Sequence, residues 1–310
     1  LLGAALGVRI VFTDDGISWP DEIYQSFEPA HRLVYGYGLV AWEFLEGART
    51  WAVPGFVAMW LWACKVLGVT SAGTAIAVVK LAFVALSAAA ALGTYRLARG
   101  LGADERESAL SAAAWSLCAL SLYFSTRAMS ETLAAPFITW GLAFVLDPRA
   151  ERRERVLGAS LLGLATLARL QAAVACVAAV GVVAVQGRPR RAALVEVLGT
   201  LAAWALVYGL WDAAAWHSVP GAKAGGLFHS AVVYWRFNIT ENRGAGWGTA
   251  PWTYYFEHLF RTMPAVSVAL ALGALRSLRR AWALWVVVAA FFALHLAVPH
   301  KELRFLLPIL

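Results

Sequence analysis

The sequence has 310 residues, of which 61% are hydrophobic and 15% charged, and its formal net charge is +7. A soluble domain carries about a quarter charged residues and under half apolar ones, so this composition excludes a soluble globular protein and indicates an integral membrane protein. The positive charge does not indicate nucleic-acid binding, because arginines cluster in four short stretches at 96–106, 149–155, 188–191 and 276–280. By the positive-inside rule, these loops are predicted to be cytoplasmic.

Apolar segments that suit a membrane-spanning helix recur along the chain. The candidates are 1–12, 74–97, 107–124, 131–147, 156–186, 192–211, 262–275, 281–298 and 303 onward. Segment 156–186 is expected to cross twice as two short helices, with Arg169 near the outer turn, whereas 54–68 is expected to be re-entrant or interfacial. The predicted fold class is an all-α polytopic membrane protein, a single domain over 1–310 with two long non-cytoplasmic loops, 13–54 and 212–261. The chain begins and stops within apolar segments, so we expect a fragment whose first helix and C-terminal part are incomplete.

The first outer loop concentrates carboxylates in the stretch WPDEIYQSFEPAHRLVYGYGLVAWEF, residues 19–44. Ser18 and Asp21 have the spacing of a capping box, and Pro20 suits a first helical turn. A helix that starts there places four polar residues on one face, at intervals of four, three and four: Asp21, Gln25, Glu28 and Arg32. The simpler alternative is that Asp21 and Glu22 are first-turn acids that interact favourably with the helix dipole.

The stretch PHKELRF, residues 299–305, places cations where a final apolar helix is predicted to begin after Pro299. His300, Lys301 and Arg304 would oppose the dipole at a helix N-terminus, at a cost of about 0.3–1 kcal/mol each. A bound anion reverses that sign, because free backbone N–H groups and the cations would both face it. The alternative is that these side chains snorkel to the bilayer surface.

The second outer loop interleaves aromatic and small polar residues in YWRFNITENRGAGWGTAPWTYYFEHLF, residues 234–260. Its glycines are not followed by Lys-Ser/Thr, so nothing indicates a nucleotide-binding loop. Stacking and hydrogen bonding of this kind suit a sugar, and the alternative is an ordered loop packed on the membrane surface. Asp14 and Asp15, near Asp21, lack the spacing of a metal site, and solvated loop acids are the simpler interpretation.

Six stretches carry a family resemblance: WPDEIYQSFEPAH, AWEF, YFSTRAMSETL, RFN, WGTAPWTYYF and HKELRFLLP. In order and approximate spacing they resemble the Alg9/Alg12/PIG-B-like mannosyltransferases, glycosyltransferase family 22 of the GT-C superfamily. The resemblance spans residues 14–308, and the PDE-x-x-Q-x-x-E-x-x-H and HKExRF motifs are specific in combination. It implies a GT-C fold and an inverting transferase that uses a polyprenyl-phosphate sugar, typically dolichyl-phosphate mannose, with no metal or other cofactor.

The resemblance also implies roles for particular residues. It assigns the catalytic base to Asp21. It places seven residues on the acceptor side: Glu22, Gln25, Glu28, His31, Asn238, Trp252 and Tyr254. It assigns the donor phosphate to His300, Lys301 and Arg304, assisted by Arg127.

Three departures from the family pattern bear on substrate identity. Trp19 stands where the family has a histidine two positions before the base. Glu131 and Ala134 replace an asparagine and an acid, and Ala250 and Thr253 stand where histidines are common. These positions are expected to shape the acceptor pocket, so they put the acceptor, and to some degree the sugar, in question. The base and the phosphate-binding cations are retained.

The expected function is transfer of a sugar, with mannose as the expected one, from a polyprenyl- or dolichyl-phosphate donor to a glycan or glycolipid, with inversion. The alternatives are a lipid or sugar transporter or flippase, and an inactive relative that binds lipid-linked sugars. A transporter usually keeps its functional charges near the membrane midplane, whereas these acids lie in a predicted outer loop. The compact loops and Ala/Arg-rich composition indicate a bacterial member acting at the outer face of the plasma membrane. A eukaryotic member would act on the luminal side of the endoplasmic reticulum.

Overall fold

The computed structural model describes residues 2–11, 13, 16–186, 191–217 and 225–309, with the backbone alone described at 216 and 217. Asp14 and Asp15 lie outside the described residues. Every regular element within the described residues is helical. The α-helices are α1 (Leu2–Val11), α2 (Pro20–Glu22), α3 (Glu28–Tyr35), α4 (Trp42–Leu45), α5 (Ala52–Val66), α6 (Ala72–Gly100), α7 (Glu105–Leu117), α8 (Ala119–Phe124), α9 (Ser130–Val145), α10 (Arg152–Ala168), α11 (Ala172–Val185), α12 (Arg191–His217), α13 (His229–Trp235), α14 (Tyr254–Thr262), α15 (Pro264–Ser277) and α16 (Trp282–Ala297). Ile23–Phe27 and Arg236–Thr240 are π-helical, and Arg243–Trp247 and Leu303–Ile309 are 3₁₀-helical.

The all-α membrane fold class is confirmed. Among the described residues, two helices are long and apolar enough to cross a bilayer, Ala72–Gly100 and Arg191–Ala215. Shorter apolar helices accompany them, including α1, α5, α11, α15 and α16. The predicted break in segment 156–186 is also confirmed, because α10 ends at Ala168 and α11 begins at Ala172, with Arg169 between them. The side of the membrane on which each loop lies stays a prediction.

The final apolar α-helix predicted after Pro299 is wrong. Residues 299–302 are irregular, and Leu303–Ile309 form a 3₁₀-helix that contains Pro308. Proline lacks a backbone N–H, so an α-helix interrupted there loses a hydrogen bond and meets a steric clash. Seven residues of 3₁₀-helix make a weak dipole, so the cations of this segment act through their side-chain charge.

Helix α9 packs against α6, α10 and the 303–309 segment, and this packing brings the start of α9 close to the 300–305 residues. Two glycines allow α9 and α10 to approach. A Cβ atom on Gly158 would lie 2.8 Å from the carbonyl oxygen of Gly141, and one on Gly141 would lie 2.7 Å from Leu162 Cγ. Small residues at a helix crossing let backbones come together, as in other membrane proteins.

The first-loop helix runs from Pro20 to Tyr35, but its capping differs from the predicted Ser18–Asp21 box. The helix is capped by Glu22, whose Oε2 accepts the backbone N–H of Ser18 at 3.2 Å and of Trp19 at 3.3 Å. Because Glu22 is fully buried, its carboxylate is available to these N–H groups and not to solvent. Gly36 ends the helix with φ of 84°, a left-handed conformation that favours glycine.

The π-turn over Ile23–Phe27 splits the polar face that the sequence predicts. The N–H of Glu28 bonds to the carbonyl of Ile23, so this turn holds one residue more than an α-helical turn. Residues before and after the turn therefore no longer share the predicted α-helical register. Asp21 and Gln25 line a cavity, whereas Glu28 accepts the N–H of Leu39 at 2.8 Å.

Candidate active site

A polar cavity of about 330 Å³ lies where the two predicted outer loops meet the starts of α9 and of the C-terminal segment. Its charged lining residues are Asp21, Glu43, Arg49, Glu131, Arg169, His300, Glu302 and Arg304. Its other lining residues include Gln25, Trp42, Gln171, Tyr234, Phe237, Asn238 and Trp247. This volume and polarity suit a sugar unit or a phosphate group better than an apolar ligand.

Arg304 is the centre of the cavity's charge network. Its Nη1 lies 2.6 Å from Asp21 Oδ2, its Nε 2.7 Å from Glu302 Oε2, and its Nη2 donates to Glu302 Oε1 at 2.8 Å. The Arg304 side chain is 8% exposed, whereas that of Asp21 is 28% exposed. The structure therefore places the predicted base in direct contact with one of the predicted phosphate-binding cations.

A second ion pair, Glu131–Arg169, lies beside Arg304. Glu131 Oε1 is 2.7 Å from Arg169 Nη1, and the two side chains are 5% and 4% exposed. Ser130 Oγ donates to Glu131 at 2.9 Å and accepts from Arg169 at 3.2 Å. From the sequence, Glu131 is expected to shape the acceptor pocket, whereas Arg169 has no predicted role there. The available signal was a carboxylate and a guanidinium placed in two predicted membrane segments, where an ionised side chain requires a partner or a function.

Gln25 connects Asp21 to Glu43, a carboxylate of the first loop to which the family resemblance assigns no individual role. Its Nε2 donates to Asp21 Oδ1 at 2.9 Å and to Glu43 Oε1 at 3.1 Å. Glu43 belongs to the AWEF stretch and is held by α4. One amide therefore fixes two carboxylates at the same wall of the cavity.

Aromatic rings from both loops form another wall. Trp42 stacks on Phe237 with ring centroids 4.7 Å apart, and the Arg243 guanidinium lies 4.8 Å from the Phe237 ring centroid. Asn238 lines the cavity, and its Nδ2 donates to the carbonyl of Tyr234 at 3.0 Å. Flat aromatic faces beside amide groups provide both the stacking and the hydrogen bonding that a sugar ring requires.

Several of the other predicted site residues do not line this cavity. Glu22 Oε1 accepts the N–H of Ala128 at 3.1 Å, and its Oε2 lies 3.8 Å from Arg127 Nη1, so both residues tie the first loop to the 124–130 turn. Arg127 also donates to the carbonyl of Gly16 at 3.2 Å. His31 stacks on Tyr35 and, like Glu28, contacts the 37–39 turn, outside the cavity.

Of the predicted phosphate-binding residues 300 and 301, only the first lines the cavity. His300 lines the cavity, and its Nε2 is 3.0 Å from Glu302 Oε1. Lys301 instead donates to the carbonyls of Ala250 at 3.1 Å and Val298 at 2.6 Å, and burial lowers the pKa of its ammonium group. It therefore joins the second loop to the C-terminal segment.

Trp252 is exposed on the second loop, whereas Tyr254 is half-buried there. The Trp252 side chain is 65% exposed, and Tyr254 stacks on His258 with ring centroids 5.1 Å apart. Neither residue lines the cavity. Within the described residues, no group of three or more His, Cys, Asp or Glu side chains is placed to hold a metal ion.

The arrangement combines a partly exposed carboxylate, a guanidinium network and aromatic rings in one cavity. A carboxylate in this position is able to accept a proton from a bound hydroxyl group. Guanidinium groups bind phosphate through several directed N–H donors. Proton acceptance and anion binding can thus take place within a few ångströms of each other.

Comparison with known proteins agrees with this chemistry. A family model described as the Alg9-like mannosyltransferase family matches residues 4–310. The chain is 28% identical to "GPI mannosyltransferase 3" of Yarrowia lipolytica, over 99% of this chain and 58% of that protein. It is 28% identical to "Mannosyltransferase APTG1" of Arabidopsis thaliana, over 94% of this chain and 52% of that protein. It is 25% identical to human "GPI alpha-1,2-mannosyltransferase 3", over 94% of this chain and 51% of that protein.

The chain spans about half the length of the curated relatives it matches. No solved structure matches it.

Proposed function

The chain belongs to the Alg9-like mannosyltransferase family, and on that premise we propose that it carries the active site of a membrane mannosyltransferase. The donor is a polyprenyl- or dolichyl-phosphate mannose and the acceptor a glycan or glycolipid. The relatives named above carry GPI mannosyltransferase or mannosyltransferase names, which supports mannose as the sugar. The observation that carries the proposal is the 2.6 Å contact between Asp21 and Arg304, which unites a candidate base and a candidate phosphate ligand.

The proposed step is a single displacement at the anomeric carbon. The acceptor oxygen forms a bond to that carbon while its proton passes to the Asp21 carboxylate. The bond from the anomeric carbon to the phosphate oxygen breaks, and its electron pair leaves with the polyprenyl phosphate. Attack from the face opposite the phosphate inverts the anomeric configuration.

Two effects lower the barrier in this scheme. A positioned general base contributes typically about 10²–10⁴-fold. Arg304 and His300 lie where negative charge develops on the leaving phosphate, and oriented cations in a site with little water stabilise such charge more than in bulk solvent. The scheme assigns no step to a metal ion, in keeping with the metal independence that the family resemblance implies.

The second loop and the AWEF carboxylate supply the acceptor side in this proposal. Gln25, Glu43 and Asn238 offer hydrogen-bonding groups, and the Trp42–Phe237 pair offers a flat face for a sugar ring. Lys301, Trp252 and Tyr254 support the loop from outside the cavity. The reaction takes place at a membrane surface, with the bacterial plasma membrane, outer face, as the proposed location.

The test is transfer of radiolabelled mannose by the full-length protein. The protein in liposomes is incubated with polyprenyl-phosphate mannose and a membrane lipid extract, with and without a chelator. We expect label in a new lipid species, unaffected by chelation and reduced at least about 10²-fold in Asp21→Asn. Glu28→Gln is the matched control, because it changes a carboxylate of the same loop that lies outside the cavity. Near-normal transfer by Asp21→Asn would refute the assignment of the base.

A donor that binds without transfer under all conditions would instead identify an inactive lipid-binding relative. A donor that does not bind at all would remove the phosphate role of Arg304 and His300.

A further inference from the structure

The Arg304 guanidinium is engaged by carboxylates. Glu302 approaches two of its nitrogens, at 2.7 and 2.8 Å, and Asp21 approaches the third, at 2.6 Å. Glu131 lies 3.8 Å from its Nε, and the Trp19 ring centroid lies 5.0 Å from its central carbon. Because only 8% of this side chain is exposed, a phosphate that binds Arg304 at short distance competes with these carboxylates for its N–H groups.

Asp21 is the carboxylate most easily displaced. It makes one short contact to Arg304, whereas Glu302 makes two, one of which is a hydrogen bond from Nη2 at 2.8 Å. Glu302 is also tied to Arg304 by sequence, since it lies two residues away. Asp21 comes from another loop, its side chain is the more exposed of the two at 28%, and it keeps a second partner in Gln25 at 2.9 Å.

The same contact occupies the oxygens of the proposed base. Asp21 Oδ2 lies against Arg304, and Oδ1 accepts from Gln25. An acceptor hydroxyl needs one of these oxygens at hydrogen-bond distance before its proton can move. This arrangement therefore holds the base and the phosphate-binding guanidinium against each other, and each limits the other's availability.

We propose that the donor phosphate replaces Asp21 on Arg304, so that donor binding itself releases the carboxylate that accepts the proton. This inference rests on the proposed function, because it takes the polyprenyl-phosphate donor from it. Glu302 holds the guanidinium in place during the exchange, and Gln25 holds Asp21 toward the acceptor side. The donor then binds before the acceptor is activated.

The exchange makes an unusual prediction about affinity. Removal of the carboxylate that competes for Arg304 should strengthen binding of a phosphate, although the same change abolishes transfer. We expect Asp21→Asn to bind a polyprenyl phosphate about tenfold more tightly than wild type, because a negative charge next to the phosphate is removed. Glu43→Gln is the matched control, since Glu43 lines the same cavity and contacts Gln25 instead of Arg304.

The experiment measures Kd by calorimetry for farnesyl phosphate and for farnesol, with the full-length protein in detergent. Farnesol reports binding of the apolar chain alone, and its Kd should be the same for all three proteins. For farnesyl phosphate, tighter binding by Asp21→Asn with less than about a twofold change in Glu43→Gln supports the exchange. Size-exclusion profiles that match wild type establish that both variants are folded.

Two results would overturn the exchange while leaving the transferase intact. One is an unchanged or weaker affinity of Asp21→Asn for farnesyl phosphate when wild type binds it and transfers mannose. The other is an equal gain in Asp21→Asn and Glu43→Gln, which would indicate a general charge effect in the cavity. If wild type neither binds farnesyl phosphate nor transfers mannose, the proposed function fails together with the exchange.

Discussion

Replacing Glu131 by glutamine should lower the free energy of unfolding by about 3–5 kcal/mol, the usual cost of removing one partner of a buried ion pair. The cost is large because Glu131 and Arg169 are 5% and 4% exposed and lie 2.7 Å apart, so water screens their charges little. In Glu131→Gln the Arg169 charge keeps, among the described residues, only neutral partners such as Ser130 Oγ, at 3.2 Å. The remaining charge is then buried without an opposite one.

The double variant Glu131→Leu/Arg169→Met tests the same reasoning from the other direction. Apolar side chains of similar size remove both buried charges, and such replacements are often neutral or stabilising. The double variant should therefore be more stable than Glu131→Gln, although it changes two lining residues of the cavity and should impair transfer.

Denaturant titration in detergent, followed by tryptophan fluorescence, measures both effects. Glu241→Gln is the control, because Glu241 pairs with Arg236 at 3.3 Å with side chains 39% and 57% exposed. Such an exposed pair contributes about 0–1 kcal/mol. A loss in Glu131→Gln no larger than that of the control, or a double variant no more stable than the single one, would refute the argument from burial.

Three further substitutions test the packing around the site. Gly158→Ala should lower the free energy of unfolding by about 1–3 kcal/mol, since its Cβ would lie 2.8 Å from a backbone oxygen of α9. Gly181→Ala is the control and should not lower it, because nothing lies within 4 Å of that Cβ. Equal denaturant midpoints for the two variants would contradict this prediction. Ser230→Ala removes a 2.7 Å bond to a buried carboxylate of α12, at a cost of about 1–3 kcal/mol. Because this bond holds the second loop to α12, limited proteolysis should cleave residues 225–261 faster in Ser230→Ala. An unchanged cleavage rate would show that the bond does not hold the loop in place. Glu22→Gln should lower the free energy of unfolding, measured by denaturant titration, by about 3–5 kcal/mol. Glu28→Gln should lower it by about 1 kcal/mol or less. Similar losses in the two variants would show that the burial of Glu22 is unimportant for stability.

The sequence identified the class of protein and the stretches from which the cavity is built. Composition alone indicated a helical membrane protein, because a chain with so few charges cannot cover a soluble surface. The PDE and HKELRF stretches were recognisable because the order and spacing of their residues resemble the motifs of the family. The structure brings Asp21, Gln25, His300 and Arg304 from these stretches, and Asn238 from the second loop, to one cavity.

Local pattern was less reliable where the backbone departs from ideal geometry. The single polar face of the first-loop helix assumed a regular α-helical turn, and the π-turn at 23–27 separates Gln25 from Glu28. Glu22 caps the helix instead of the predicted Ser18–Asp21 box, because its long buried carboxylate reaches the free N–H groups that precede the helix. Spacing rules describe ideal helices, so they fail when one extra residue enters a turn.

What the tertiary structure alone decided is which charges meet. Glu131 lies in the first turn of α9 and Arg169 lies between α10 and α11, and the local sequence at either residue does not identify the other as its partner. Their 2.7 Å contact follows from where the close packing of α9 on α10 places the ends of these helices, and Gly141 and Gly158 permit that packing. The same holds for Asp21 and Arg304, which are 2.6 Å apart in space but lie near opposite ends of the chain. Hydrophobic pattern is a short-range property of sequence, whereas a buried charge is stable only beside the partner that the folded packing brings to it.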